Sequence, residues 1–144
     1  MSIEHETFVL TRAYALPPAR VFAAWADPRL KAAWFCEPGA DYELDFRVGG
    51  REINRDGTPG GPGYTSVAYY RDIVPNERIV YTYELHAGEA LASVSLTTVL
   101  FSAAGEGTEM TLTEQIAVLD GRDTAAARER GMGLLVRRLG DRLA

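Results

Sequence analysis

Residues 123–144 read Asp-Thr-Ala-Ala-Ala-Arg-Glu-Arg-Gly-Met-Gly-Leu-Leu-Val-Arg-Arg-Leu-Gly-Asp-Arg-Leu-Ala. Ala125, Met132, Leu135, Val136, Leu139 and Leu143 fall on one stripe of a 3.6-residue wheel. Arg130, Arg137, Arg138 and Asp141 fall opposite. The spacing predicts a helix running nearly to the C-terminus, capped by Asp120 or Asp123. No other stretch of the chain is long enough to cover a sheet with a single helix.

The residues before it keep period two. In 40–48, Tyr42, Leu44, Phe46 and Val48 point one way, while Asp41, Glu43, Asp45 and Arg47 point the other. That is a strand with one wet face. Gly49-Gly50 turns into a short strand over 51–55. Further strands are predicted over 64–74, 78–86, 92–102 and 108–118, with Pro75-Asn76, Gly88 and Ala-Ala-Gly-Glu-Gly between them. Residues 56–63, Asp-Gly-Thr-Pro-Gly-Gly-Pro-Gly, have little to bury and read as a loop, either a cavity lid or a plain hairpin tip. Nearer the start, 6–14 read as a strand that Pro17-Pro18 ends. Residues 19–26 read as a short helix with Val21 and Trp25 on its apolar side. Asp27-Pro28 caps and starts a second helix, which ends at Trp34-Phe35 before Pro38-Gly39.

One-sided alternation needs a cover, and short turns between sequential strands imply antiparallel pairing. The expected fold is therefore α+β: a curved antiparallel sheet around the C-terminal helix, with two short helices after the first strand. There is no internal repeat or linker, so residues 1–144 read as one domain.

The composition narrows the function classes. The 144 residues carry 15 Lys+Arg against 20 Asp+Glu, a net charge of −5, which argues against a general nucleic-acid binder. The lone Cys36 excludes an internal disulfide. No apolar run reaches the roughly 18 residues of a membrane span. Met-Ser-Ile-Glu-His-Glu at the start has no basic segment or apolar core, so a cytoplasmic protein is expected. His5 and His86 are too few and too separated for a metal site, and no cofactor motif is present. A Cys36 nucleophile would need a histidine such as His86 held beside it.

Several segments together resemble a known family. Arg12-Ala-Tyr-Ala-Leu-Pro-Pro-Ala-Arg-Val-Phe-Ala-Ala-Trp-Ala-Asp-Pro28, then Trp34-Phe35, resembles the start of the AHSA-type proteins. These are "activator of heat-shock-protein ATPase-like" members of the START-like (Bet v-like, polyketide-cyclase-like) superfamily. Asp45-Phe-Arg-Val-Gly-Gly50, Tyr70-Arg-Asp-Ile-Val-Pro-Asn-Glu-Arg-Ile-Val-Tyr-Thr82 and Gly107-Thr-Glu-Met-Thr-Leu-Thr113 resemble its later strands and turns. The resemblance implies the helix-grip fold, with a cavity between sheet and helix. Met132 stands where the family often has Trp, which implies a larger or differently shaped cavity.

Four polar residues share the predicted inner surface. Glu114 lies on the face of Met110, Leu112 and Ile116. A carboxylate there needs a partner or a wet cavity, unless a bulge turns it outward. Arg128 sits one turn before Met132 within the apolar stripe, placed either to meet Glu114 or to snorkel to water. Tyr81 and Tyr83 share a face with Ile79 and Leu85, as ligand contacts or as core. Trp25 and Trp34 lie where the family's short helices cap the cavity. Leu134 faces outward beside Arg130 and Arg138, a possible homodimer contact. Three functions follow. The first is binding of a small hydrophobic or aromatic ligand by Glu114, Arg128, Tyr81, Tyr83, Met132, Trp25 and Trp34. The second is a cyclase- or hydrolase-like enzyme, with Glu114 moving a proton and Arg128 stabilising an oxyanion. The third, suggested by the family's name, is a chaperone-binding module.

Overall fold

The structure, a computed structural model, describes residues 2–55 and 63–143. Strand β1 spans Ile3–Tyr14, helices α1 and α2 span Pro18–Ala26 and Pro28–Phe35, and β2 spans Asp41–Leu44. Strands β3 (Arg51–Arg55), β4 (Tyr64–Val74), β5 (Arg78–Ala87), β6 (Ala90–Ala104) and β7 (Gly107–Leu119) follow, then helix α3 over Ala125–Leu143. The seven strands form one antiparallel sheet in the order β1-β7-β6-β5-β4-β3-β2. Register shifts at Tyr70/Asp72 and Leu85/His86 bend the central strands, and the sheet curves around α3.

Asp27 ends α1 and caps α2, accepting from the backbone N–H of Arg29 at 2.9 Å and Leu30 at 3.1 Å. The turn lets Trp25 and Trp34 meet edge-to-face at 4.8 Å, and Trp34 Nε1 donates to the Ala24 carbonyl at 2.9 Å. Helix α3 buries Met132, Leu135, Val136 and Leu139 against the sheet. Tyr14 pins it to β1 by donating to the Val136 carbonyl at 2.9 Å. Gly140 allows that approach, because a Cβ there would lie 3.3 Å from the Tyr14 ring.

Two local expectations need correction. The strand expected over 40–48 stops at Leu44. The chain coils over 45–50 instead, through backbone bonds from Arg47 to Asp45 and from Gly50 to Arg47. This swings Phe46 onto Phe22 and Tyr70, at 5.7 and 4.9 Å, and leaves Val48 exposed rather than inward. Gly50 is required, since a Cβ would fall 2.1 Å from the Asp45 carbonyl oxygen. The cap of α3 is neither Asp120 nor Asp123. Thr124 accepts from the Ala127 N–H at 3.0 Å, which frees the Asp123 carboxylate for Arg128. The lid or hairpin tip expected over 56–63 lies, apart from Gly63, outside the described residues.

Candidate functional site

Register and helix phase bring Glu114 and Arg128 together. On β7, Glu114 pairs in register with Phe8 of β1 and Thr97 of β6. It follows Met110 and Leu112 on the inner face and is fully buried. Its Oε2 accepts from the Tyr83 hydroxyl at 2.6 Å and the Ser95 hydroxyl at 2.7 Å. Arg128 enters from α3 and is 2% exposed, so it does not snorkel to solvent. Its Nη1 donates to the Tyr83 oxygen at 2.6 Å and stands 3.7 Å from Glu114 Oε2. Its Nη2 donates to Ser93 at 3.3 Å and is held by Asp123. Tyr83 thus donates to the carboxylate while accepting from the guanidinium. Glu114 Oε1 is buried with no hydrogen-bond partner.

The electrostatics follow from this packing. Burial raises the Glu114 carboxyl above its ordinary value of 4.5, although Arg128, Tyr83 and Ser95 pull the other way. Burial, then the Glu114 charge, raise Tyr83 well above 10.0, so it remains a neutral hydroxyl. For Arg128, burial alone would lower the value, but Tyr83, Glu114 and Asp123 together raise it, and the cation persists.

A second buried ion pair lies across the interior, and sequence reasoning missed it. Lys31 Nζ on α2 is 2.6 Å from Glu52 Oε2 on β3, and both side chains are nearly inaccessible. Tyr42 donates to the same oxygen at 2.5 Å. The ammonium also lies 4.4, 5.0 and 5.6 Å from the rings of Phe35, Trp25 and Trp34. The available signal was spacing: Lys31, Trp34 and Phe35 share one helix face.

Beneath Met132, between Glu52 of this pair and Tyr83 of the Glu114–Arg128 network, lies a small space that Lys31, Glu114 and Arg128 do not themselves line. About 10 Å³ separates Glu52 from Tyr83, walled by Phe35, Ala68, Tyr81 and Met132. The expected open cavity, larger for having Met132 in place of Trp, is therefore closed. Tyr81 and Tyr83 project from β5 and, with Met132, fill the hollow. The space is about that of one water. Trp25 and Trp34 do not line it; they pack around Lys31 instead.

The remaining candidates are dispersed. His86 Nε2 lies 3.4 Å from Glu84 Oε1. Among the described residues, no group of three or more His, Cys, Asp or Glu is arranged to hold a metal ion. No helix among them is long and apolar enough to cross a membrane. Burial, and then the nearby Glu52 charge, push the Cys36 thiol up to about 12. Cys36 is therefore expected to stay almost unlabelled by iodoacetamide at neutral pH, and to react at a free thiol's rate only after denaturation. Rapid labelling of the native protein is the contrary result.

Comparison with known proteins places this geometry. The family model "Activator of Hsp90 ATPase homolog 1-like protein" matches residues 15–144. An uncharacterized protein from Rhizobium leguminosarum is similar at 44% identity, covering 99% of this chain and 96% of that one, with a TM-score of 0.92. Mll3558 from Rhizobium loti is similar at 42% identity, covering 99% of both chains, with a TM-score of 0.91. CV1439 from Chromobacterium violaceum, at 24% identity over 94% of both chains and a TM-score of 0.76, shares the fold. None of the curated proteins compared matches the chain.

Proposed function

Since the chain belongs to the Activator of Hsp90 ATPase homolog 1-like family, whose members commonly bind ligands, we propose that it binds a small aromatic or hydrophobic molecule at the Met132 seam. One observation carries the reading: the space beneath Met132 is walled by Glu52 of one buried ion pair and by Tyr83, which bridges Glu114 and Arg128 of the other, and behind Tyr83 the buried Glu114 Oε1 has no hydrogen-bond partner. Buried pairs are commonly no more stable than apolar packing of the same shape. Polar groups placed so expensively are better explained by a ligand than by the fold.

Drug-sized pockets run to roughly 300–1,000 Å³, far more than the space here, so binding must open the seam. Met132 and Phe35, on the two helices that close it, are the side chains that must move. The opened walls would offer Tyr81, Phe35 and Met132 to a flat apolar body. Glu114 Oε1 would accept from a ligand donor, and Arg128 would face an acceptor.

The raised Glu114 carboxyl favours a second reading, an enzyme in which Glu114 transfers a proton while Arg128 stabilises an enolate or oxyanion. Native mass spectrometry of freshly purified protein, followed by ligand-observed screening with aromatic acids and phenols, tests both. The binding reading expects a one-to-one complex that Glu114→Gln weakens about ten-fold or more. Unchanged affinity with lost turnover would favour the enzyme. No complex with any such compound, or affinity indifferent to both Glu114→Gln and Met132→Trp, would remove the site.

A further inference from the structure

A second, open groove lies on the other side of α3, between its outer face and the end of β1. It encloses about 840 Å³ and is unconnected with the seam beneath Met132, sharing none of its walls. Arg12 of β1 and Arg130 and Arg137 of α3 all line it. None of the three has a carboxylate partner among the described residues, whereas Arg138, beside Arg137, pairs with Glu37 at 2.9 Å. Among the described residues the Arg12 guanidinium donates only to the neighbouring Thr11 carbonyl, at 2.9 Å. Three unpaired cations in one groove of a chain with net charge −5 point to an anion.

The helix itself shows where the anion would sit. Gly133 lies one turn from both Arg130 and Arg137, and a Cβ there would meet Arg12 Nη2 at an ordinary 3.8 Å. Unlike Gly140, it is therefore not required by packing. A glycine inside a helix weakens it by about 1 kcal/mol relative to alanine. What Gly133 does is leave the helix bare beside Arg12, one turn from Arg130 and from Arg137, in the groove that all three line. From there the groove continues over Ala15, Leu16, Gly140 and Leu143, an apolar floor about 15 Å long at 1.5 Å per residue. Leu134, 62% exposed, forms its apolar rim.

We propose that this groove binds a soluble amphiphilic carboxylate of the fatty-acid kind. The head lies over Gly133 and is clamped by Arg12, Arg130 and Arg137; the acyl chain runs toward Leu16 and Leu143. Guanidinium groups suit the carboxylate because they donate in a planar fork. The site stands apart from the interior one, and either can fail alone.

Titration calorimetry of the full chain with palmitate tests the assignment, with hexadecyltrimethylammonium as the chain-matched cation. One palmitate is expected to bind, and the cation is not expected to compete. Gly133→Leu, which fills the groove while improving helix propensity, should abolish binding without lowering Tm. Arg130→Glu with Arg137→Glu should weaken it by about a hundred-fold, about ten-fold for each clamp lost. Equal binding of the cation, or no palmitate binding, overturns the proposal. So does binding that survives Gly133→Leu but is lost in Glu114→Gln, which would put the acyl chain beneath α3. A dimer that palmitate does not dissociate and Gly133→Leu does would instead assign the groove to a second copy of the chain.

Discussion

Arg128→Ala is expected to destabilise the protein by about 3–5 kcal/mol near neutral pH, the cost of leaving a buried charge without its partner. Glu114, fully buried, would keep only the hydroxyls of Tyr83 and Ser95, and Asp123 would lose its cation. In urea unfolding the midpoint should fall with little change in slope. Replacing the whole pair, by Arg128→Met with Glu114→Gln, should cost far less than the single change, because no charge is then stranded. A single change as mild as the double one would mean that the Glu114–Arg128 contact carries no coupling.

The pH dependence has a definite sign. The folded state raises the Glu114 carboxyl above 4.5, so the fold binds its proton more tightly than the unfolded chain does. Its contribution to stability is full below the ordinary carboxylate range and is lost as pH rises through the raised folded value. Glu114→Gln should therefore flatten the decline of stability over that window. In Arg128→Ala the carboxyl is raised further, and the penalty should shrink as the solution is made acid. A penalty that grew on acidification would contradict the burial of Glu114 as a charge.

Lys31→Ala is expected to cost about as much, 3–5 kcal/mol, and to lower Tm by roughly 10 °C or more. It strands Glu52 with the Tyr42 hydroxyl and removes a cation from among Trp25, Trp34 and Phe35. The informative companion is Lys31→Met with Glu52→Gln, which keeps the stem's volume and removes both charges. If that double variant is as stable as the parent and binds interior ligands more weakly, the pair serves the site. If it loses as much stability as Lys31→Ala, the pair is structural, and the interior site has one polar end rather than two.

What the sequence discloses about the interior depends on whether the pattern is local. Period two along β7 sets Glu114 beside Met110, Leu112 and Ile116, and the wheel sets Arg128 beside Met132. Both therefore read as inward from a dozen residues each. Their linkage is not local: Tyr83, Ser93 and Ser95 arrive from two other strands, and only register aligns them. Lys31 betrays itself only by sharing a helix face with Trp34 and Phe35, and Glu52 escapes such reading altogether. Glu52 and Asn54 alternate with Ile53 and look like a wet face, yet Lys31 of α2 reaches Glu52 and all three are buried. The strand expected over 40–48 failed for a related reason. Alternation continues through Phe46 and Val48, but aromatic packing draws Phe46 out of the sheet. Cavity size was the least legible property, because it depends on how side chains from separate strands and helices interlock.

The pairing of β1 with β7 also governs when this fold can exist. Thr108, which ends the β7 ladder against Tyr14, donates to the Leu16 carbonyl, 92 residues away in the chain, at 2.7 Å. On the ribosome, β1 emerges before its partner β7, and the hollow that α3 fills stays bare until α3 is made. Closing so long a loop is entropically slow, and its reward arrives only once β7 has been made. The nascent domain must therefore be kept from aggregation from the emergence of β1 until β7 and α3 follow. Any lesion that halts translation before Gly107 leaves β1 unpaired and β6 as an open edge for proteolysis, rather than a shortened domain.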